Sequence, residues 1–118
     1  MTATTWRVRA LAASSPSNPN PIKMRAGDVV EITGQEDDGW VWCRHQTGKE
    51  SWVPVSYLAA GEGNTRTARF DYDATELSVE VGEEFQATLE EHGWLWGRNT
   101  QGTWGWVRVA QVERIDEA

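Results

Sequence analysis

Two tryptophan-rich stretches with one pattern decide the fold of this 118-residue chain. The first reads Gly39-Trp40-Val41-Trp42-Cys43-Arg44 and continues, after a polar turn, into Trp52-Val53-Pro54; the second reads Gly93-Trp94-Leu95-Trp96-Gly97-Arg98 and continues into Trp104-Gly105-Trp106-Val107. The copies keep an offset of 54 positions, because Trp94 repeats Trp40 and Trp106 repeats Trp52. A repeat in one register that holds seven of the eight tryptophans indicates one structural unit written twice.

Each copy predicts a β-hairpin, because aromatic and β-branched residues flank a short polar turn that contains Gly48 or Gly102. Trp42 and Trp52 lie symmetrically about the first turn, as Trp96 and Trp106 do about the second. We expect each pair to meet across its hairpin, where aromatic pairs contribute roughly 0.2–1 kcal/mol. Cys43 and Gly97 occupy equivalent positions, which predicts a crowded inner site that admits only a small side chain.

The rest of the sequence predicts an all-β protein of two consecutive five-stranded barrels. Turn signals separate short alternating runs, and no stretch sustains helical periodicity. We place the first barrel at residues 1–59, a polar Gly-bearing linker at 60–66 and the second barrel at 67–118. Domains of this size have little room for a deep catalytic cavity, which favours a surface site.

The net charge of −7 is uneven along the chain. Residues 1–60 carry six acidic and six basic side chains, whereas residues 61–118 carry twelve acidic and five basic ones. A negative surface argues against a nucleic-acid partner, which requires the opposite sign. The charge fits a basic partner, or simply solubility.

Several other classes of function are excluded by what the sequence lacks. Cys43 is the single cysteine, so an intrachain disulfide or a zinc site is not expected. His45 and His92 are isolated, and no serine, histidine and carboxylate pattern suggests catalysis. No apolar run reaches the length of a membrane span and no signal peptide is evident. We therefore predict a cytoplasmic, non-enzymatic protein with no cofactor, no metal and no membrane partner.

The ordered motifs resemble those of the Src homology 3 (SH3) family over nearly the whole chain. Motifs shared with that family are Gly27-Asp28 and Gly82-Glu83 before a strand, Asp38-Gly39-Trp40 and His92-Gly93-Trp94 at the hairpin start, Pro54-Val55-Ser56-Tyr57 at the close, and Ala68-Arg69-Phe70-Asp71-Tyr72 with Glu76-Leu77-Ser78 at an opening strand. The resemblance implies SH3-like barrels that bind proline-rich segments between aromatic rings, while loop acids pair with a ligand Arg or Lys.

The resemblance divides the site residues between the repeats. The first repeat supplies Trp40, Pro54 and Tyr57 with the acids Glu36, Asp37 and Asp38, and has Ala12 and Ser14 where the opening aromatics belong. The second supplies Phe70, Tyr72 and Trp94 with Asp73, Glu76, Glu90 and Glu91, and has Arg108 and Gln111 at the closing motif. Neither repeat holds the full aromatic row. The second, with acids in both loops, is the expected binding module, and a joint site that clamps one peptide is a sharper version.

Three alternatives remain open at this point. The barrels could be structural, with tryptophan-rich faces that pack on each other, on a fixed partner or in a homo-oligomer. The aromatic residues could form a cage for a methylated lysine. The loop at residues 12–21, with PxxP spacing from Pro16 to Pro19, could act as an internal ligand for the acidic barrel.

Overall fold

The computed structural model describes residues 5–115, and its regular structure is nearly all β. The strands are β1 (Trp6–Ala10), β2 (Lys23–Met24), β3 (Val29–Asp37), β4 (Trp40–His45), β5 (Glu50–Pro54), β6 (Leu58–Ala59), β7 (Thr65–Ala68), β8 (Tyr72–Asp73), β9 (Glu84–Glu91), β10 (Trp94–Asn99), β11 (Trp104–Arg108) and β12 (Val112–Arg114). Single 3₁₀ turns at Val55–Tyr57 and Val109–Gln111 follow β5 and β11. Among the helical segments described, none is long and apolar enough to cross a membrane.

The chain divides into two compact units, and only one of them is contiguous. The inserted unit comprises Asn18–Thr75, and the split unit comprises residues 1–17 together with 76–118. The inserted unit has a five-stranded sheet in the order β5-β4-β3-β7-β6 with a two-stranded ribbon of β2 and β8; the split unit has a sheet in the order β11-β10-β9-β1-β12. Two five-stranded sheets agree with the predicted SH3-like fold class.

The division differs from the consecutive arrangement of 1–59 and 67–118 that the repeat predicts. Strand β1 pairs with β9 and β12 of the second repeat, whereas β7 pairs with β3 and β6 of the first. The opening strands are therefore exchanged between the repeats. Along the chain, the 58-residue inserted unit interrupts the split unit between residues 17 and 76.

The segment expected as a linker is the physical reason for this difference. Residues 60–64 connect β6 to β7 as a hairpin loop, in which the Thr65 amide donates to the Glu62 carbonyl at 3.0 Å. Gly63 has a φ of +56°, and a Cβ on Gly61 would collide with the Thr65 carbonyl oxygen. These glycines permit a tight return, so β7 stays beside β6 and completes the first repeat's sheet.

The tryptophan hairpins follow the sequence closely. Trp42 lies opposite Trp52 and Trp96 opposite Trp106, with ring centroids 5.5 and 5.4 Å apart. Two-residue turns join the preceding strands to β4 and β10, and both residues of each turn have positive φ: Asp38, Gly39, His92 and Gly93. Asp-Gly suits such a turn because Gly has no Cβ and Asp tolerates the left-handed region.

Each unit buries its own set of apolar side chains. The split unit's core is formed by Val8, Ala10, Leu77, Val79, Phe85, Ala87, Leu95 and Val107. Val8 and Ala10 point inward as β1's alternation predicts. In the inserted unit, Ile22, Val30, Cys43, Val53 and Pro54 are the most completely buried side chains.

Candidate functional site

The inserted unit brings together aromatic residues that the sequence divides between the repeats. Tyr57 follows Pro54 in the first repeat, and Phe70 and Tyr72 belong to the opening segment of the second. The Tyr57 ring meets Phe70 edge-on at 5.4 Å between centroids and Tyr72 edge-on at 5.6 Å. This edge-to-face geometry is the favourable one for aromatic pairs. The exchange of opening strands thus unites in one unit the rings that each repeat lacks alone.

Backbone and side-chain hydrogen bonds hold these rings in place. The Arg69 amide donates to the Tyr57 carbonyl at 2.8 Å, and the Tyr72 hydroxyl donates to the Trp52 carbonyl at 2.8 Å. Asp71 accepts from the Ala26 amide at 2.9 Å. The opening segment is therefore fixed at both ends against elements of the first repeat.

The rings differ in their exposure. Phe70 is 48% exposed and Tyr57 is partly exposed, whereas Trp40 and Tyr72 are only 8% and 6% exposed. Pro54 is fully buried and lies opposite Trp40 across β4 and β5. A partner can reach Phe70 and part of Tyr57, while Trp40, predicted to contact a ligand, is mainly a packing residue in this structure.

The predicted acids are divided between the units. Glu36, Asp37 and Asp38 are exposed at the end of β3 and its turn, directly before Trp40. Asp73 belongs to the same unit, but its carboxylate accepts from the Thr75 amide at 2.9 Å and hydroxyl at 2.6 Å. Glu76, Glu90, Glu91 and Trp94 belong to the split unit. The Glu76 carboxylate accepts from the Ser17 amide at 2.8 Å and also from its hydroxyl.

The corresponding position of the split unit has a different character. Arg108, which stands where the first repeat has Pro54, places its guanidinium 4.6 Å from the centroid of the Trp94 ring. Ala12, Ser14 and Gln111 provide no further rings there. The second repeat, expected from its acids to be the better binding module, therefore contributes only Trp94 of its ring row to the split unit. This ring stacks with its own cross-strand arginine.

Sequence reasoning missed the cation beside Phe70. The Arg69 guanidinium lies 5.1 Å from the centroid of the Phe70 ring and donates to the Ser56 carbonyl at 3.0 Å. Strand alternation would send the two side chains to opposite faces, but residues 69 and 70 form a bend between β7 and β8. The one feature of the sequence that could have indicated this contact is that Arg69 and Phe70 are adjacent.

The PxxP segment crosses the boundary between the units, because Pro16 and Ser17 belong to the split unit and Asn18 and Pro19 to the inserted unit. Asn18 donates through its side-chain amide to the Glu50 carbonyl at 2.7 Å and to the Ser51 hydroxyl at 3.1 Å. The Ile22 amide donates to the same hydroxyl at 2.7 Å. The buried Ser51 thereby anchors the Asn18 end of this segment to β5.

His45 is only 5% exposed and forms part of a buried polar link. Its Nδ1 accepts from the Thr47 amide at 3.3 Å, so Nε2 carries the proton that is donated to Asp28 at 2.9 Å. A hydrogen bond from the Arg25 amide, and then the one from His45, hold the pKa of Asp28 below its usual 3.8. Over residues 5–115, no group of three or more potential metal ligands comes together.

Replacing Asp28 with Asn should cost stability in a pH-dependent manner. The folded-state pKa is depressed, so the carboxylate contributes stability above its unfolded value, and this contribution is lost as the pH falls through the folded value. The difference in unfolding free energy between wild type and Asp28→Asn should therefore shrink as the pH is lowered from about 6 to about 2. Denaturant titrations across this range measure it, and a difference that grows toward low pH would contradict the assignment.

Comparisons with known proteins agree with the first repeat's motifs. Residues 7–60 match the model of the Variant SH3 domain family. The chain is 37% identical over 60 residues to the guanine nucleotide exchange factor DBS of Homo sapiens, a match that covers 50% of this chain and 5% of that protein. It is 38% identical over 50 residues to the proline-serine-threonine phosphatase-interacting protein 1 of Homo sapiens, covering 42% and 12%.

A third relative is the myosin-1 of Schizosaccharomyces pombe, 33% identical over 48 residues, with 41% of this chain and 4% of that protein covered. The chain thus spans about an eighth or less of the length of these relatives. What they share with it is one small module. At residues 7–60, the chain is therefore similar to one variant SH3 domain.

Proposed function

We propose that the chain is a non-enzymatic protein-interaction module, and that its inserted unit binds proline-rich segments that carry a basic residue. The match of residues 7–60 to the Variant SH3 domain family supports the interaction role. The observation that carries the location is the contact of Tyr57 with both Phe70 and Tyr72. This contact gives the inserted unit the ring set that an SH3-type groove uses.

The exposed rings set the physical basis of recognition. Proline segments are already extended in water, so a flat apolar ring gains contact area with little loss of ligand entropy. Phe70 and Tyr57 offer such rings, and the exposed Glu36, Asp37 and Asp38 supply negative charge for a ligand Arg or Lys. Arg69 beside Phe70 adds a positive charge, which favours a ligand whose basic residue lies toward the acidic turn.

Calorimetric titration of the full-length chain with a peptide of two PxxP repeats and one flanking arginine tests the proposal. We expect a dissociation constant of roughly 10–100 µM, which corresponds to a binding free energy of about −5.5 to −6.8 kcal/mol. A control peptide in which alanine replaces each proline should bind at least tenfold more weakly. Absence of saturable binding at millimolar peptide would rule out this function.

A structural role is the second candidate, and tryptophan exposure favours it. Trp52 and Trp104 are each 43% exposed and neighbour Trp42 and Trp96, respectively, so each unit presents an aromatic pair at its surface. Exposed rings of this kind are typical of interfaces. If this candidate holds, sedimentation should show a concentration-dependent oligomer that Trp104→Ala weakens.

A further inference from the structure

The opening strands β1 and β7 occupy equivalent places in the two sheets. Arg9 lies opposite Glu113 in the split unit, and Thr67 lies opposite Ala59 in the inserted unit. The 54-position offset carries Ala59 onto Glu113. Both opening strands therefore meet the same position of the closing strand, so each has a geometry that the other unit could accept.

The sequence retains the order of a consecutive arrangement, in which β1 would pair with β3 and β6, and β7 with β9 and β12. The Variant SH3 domain match spans residues 7–60, which includes β1 together with β3 to β6. The observed exchanged arrangement separates these strands between two units. One chain thus contains strand sets suited to two different pairings.

Several contacts favour the exchanged arrangement. Arg7 pairs with Glu84 at 3.4 Å and Arg9 with Glu113 at 3.0 Å, although these partly exposed ion pairs contribute little individually. The exchange also divides the net charge more evenly. The inserted unit carries six basic and nine acidic residues, a net charge of −3, and the split unit carries five and nine, a net charge of −4. The two halves of the sequence, in contrast, have net charges of 0 and −7. Finally, the 60–64 hairpin links β6 to β7 locally.

The two arrangements differ in the aromatic site. In the exchanged form, Phe70 and Tyr72 lie against Tyr57. In the consecutive form, Ala12 and Ser14 would take those positions, and neither can supply a ring. Only the exchanged form has the ring set on which the proposed function rests.

We propose that β1 and β7 are alternative partners for both sheets and that their exchange determines whether the peptide site exists. A ligand that binds only the exchanged form shifts the equilibrium toward it. The consecutive form then falls by the factor 1 + [L]/Kd, which is about elevenfold at a ligand concentration of ten times Kd. The peptide site and the strand order are in this way linked.

Cysteine pairs in the full-length chain report the two arrangements, in a Cys43→Ala background that removes the buried native thiol. Arg9→Cys with Glu113→Cys joins strands of the exchanged form, and Ala59→Cys with Thr67→Cys is a matched pair in the other unit. Arg9 and Ala59 belong to different units of the exchanged form and would lie directly opposite each other in the consecutive form, so Arg9→Cys with Ala59→Cys reports the consecutive form. Directly opposed residues of antiparallel strands have Cα separations within the range of a disulfide.

Oxidation by oxidised glutathione in dilute solution, followed by mass spectrometry, gives the closing rate of each pair. Both exchanged pairs should close quickly. The consecutive pair should close more slowly, and about tenfold more slowly again with the PxxP peptide at ten times Kd. Once closed, this variant should bind the peptide at least tenfold more weakly than wild type, and reduction should restore binding.

The outcomes separate this proposal from the proposed function. Failure of the consecutive pair to form an intramolecular disulfide would overturn the proposed interconversion of the two arrangements, as would a closing rate that bound peptide leaves unchanged. If wild type binds no peptide, the proposed function fails, while the closing rates without peptide still decide whether both arrangements exist.

Discussion

Phe70→Ala is expected to weaken binding of the Arg-containing PxxP peptide at least tenfold, or about 1.4 kcal/mol, with little loss of stability. The ring is 48% exposed, so its removal leaves the core intact while it deletes the most accessible aromatic surface beside Tyr57. Calorimetry gives the affinity, and thermal unfolding shows whether the fold persists.

Trp104→Ala is the matched control for this prediction. Trp104 is an aromatic side chain of similar exposure, 43%, but it belongs to the split unit, whereas the proposed ring set belongs to the inserted unit. Its replacement should leave the affinity within twofold of wild type. Equal losses in both variants would refute placement of the site in the inserted unit.

Gly97→Ala is expected to be the most destabilising small substitution in the split unit, at about 3 kcal/mol or more. A Cβ at this position would collide with the Gln86 carbonyl oxygen and lie 2.8 Å from the Ala87 Cα. Backbone atoms in the middle of a sheet cannot move aside as a flexible side chain can. Strand β10 pairs on both sides here, with β9 and β11, so a displacement disrupts two ladders.

Cys43→Ala provides the comparison at the equivalent position of the other repeat. Cys43 is fully buried but already carries a side chain, so its truncation should cost only about 1 kcal/mol. Guanidinium titrations followed by tryptophan fluorescence measure both variants. A cost for Gly97→Ala no greater than that for Cys43→Ala would contradict the close approach.

The difference between Gly97 and Cys43 shows which details of the fold the sequence can supply. The pattern predicts a crowded inner position in both hairpins, and the close backbone approach at Gly97 confirms it. It does not predict where the β-bulge of each sheet lies. In the split unit the bulge is in β9 opposite Gly97, and in the inserted unit it is in β3 between Ile32 and Glu36. Bulge placement depends on packing across the sheet, whereas the hairpins depend on local turn chemistry such as Asp38-Gly39.

The pairing partners of the opening strands are harder to predict from the sequence. Alternation identifies β1 and β7 as strands, but it cannot say which of two similar sheets each joins, because that choice rests on contacts far apart in the sequence. The segment at 60–64 reads equally well as a linker or as a hairpin loop until the Thr65 to Glu62 hydrogen bond is known. For the same reason, the aromatic residues were recognisable individually, while their union in one unit was not.

The burial of Trp40 likewise could not be predicted from the sequence. A tryptophan after an acidic turn suits a ligand-contacting ring, yet its exposure depends on tertiary packing, and the structure leaves it 8% exposed. The proposed recognition therefore rests on Phe70 and Tyr57, which the motif comparison placed in different repeats.

The most direct test of the exchanged strand order is a nuclear Overhauser experiment on the full-length chain with labelled tyrosine rings. Tyr57 and Tyr72, whose centroids are 5.6 Å apart, should give strong ring-to-ring cross-peaks in the absence of any ligand. If those cross-peaks are missing and Tyr57 instead contacts Ser14, the opening strands are not exchanged and the assembled aromatic site does not exist.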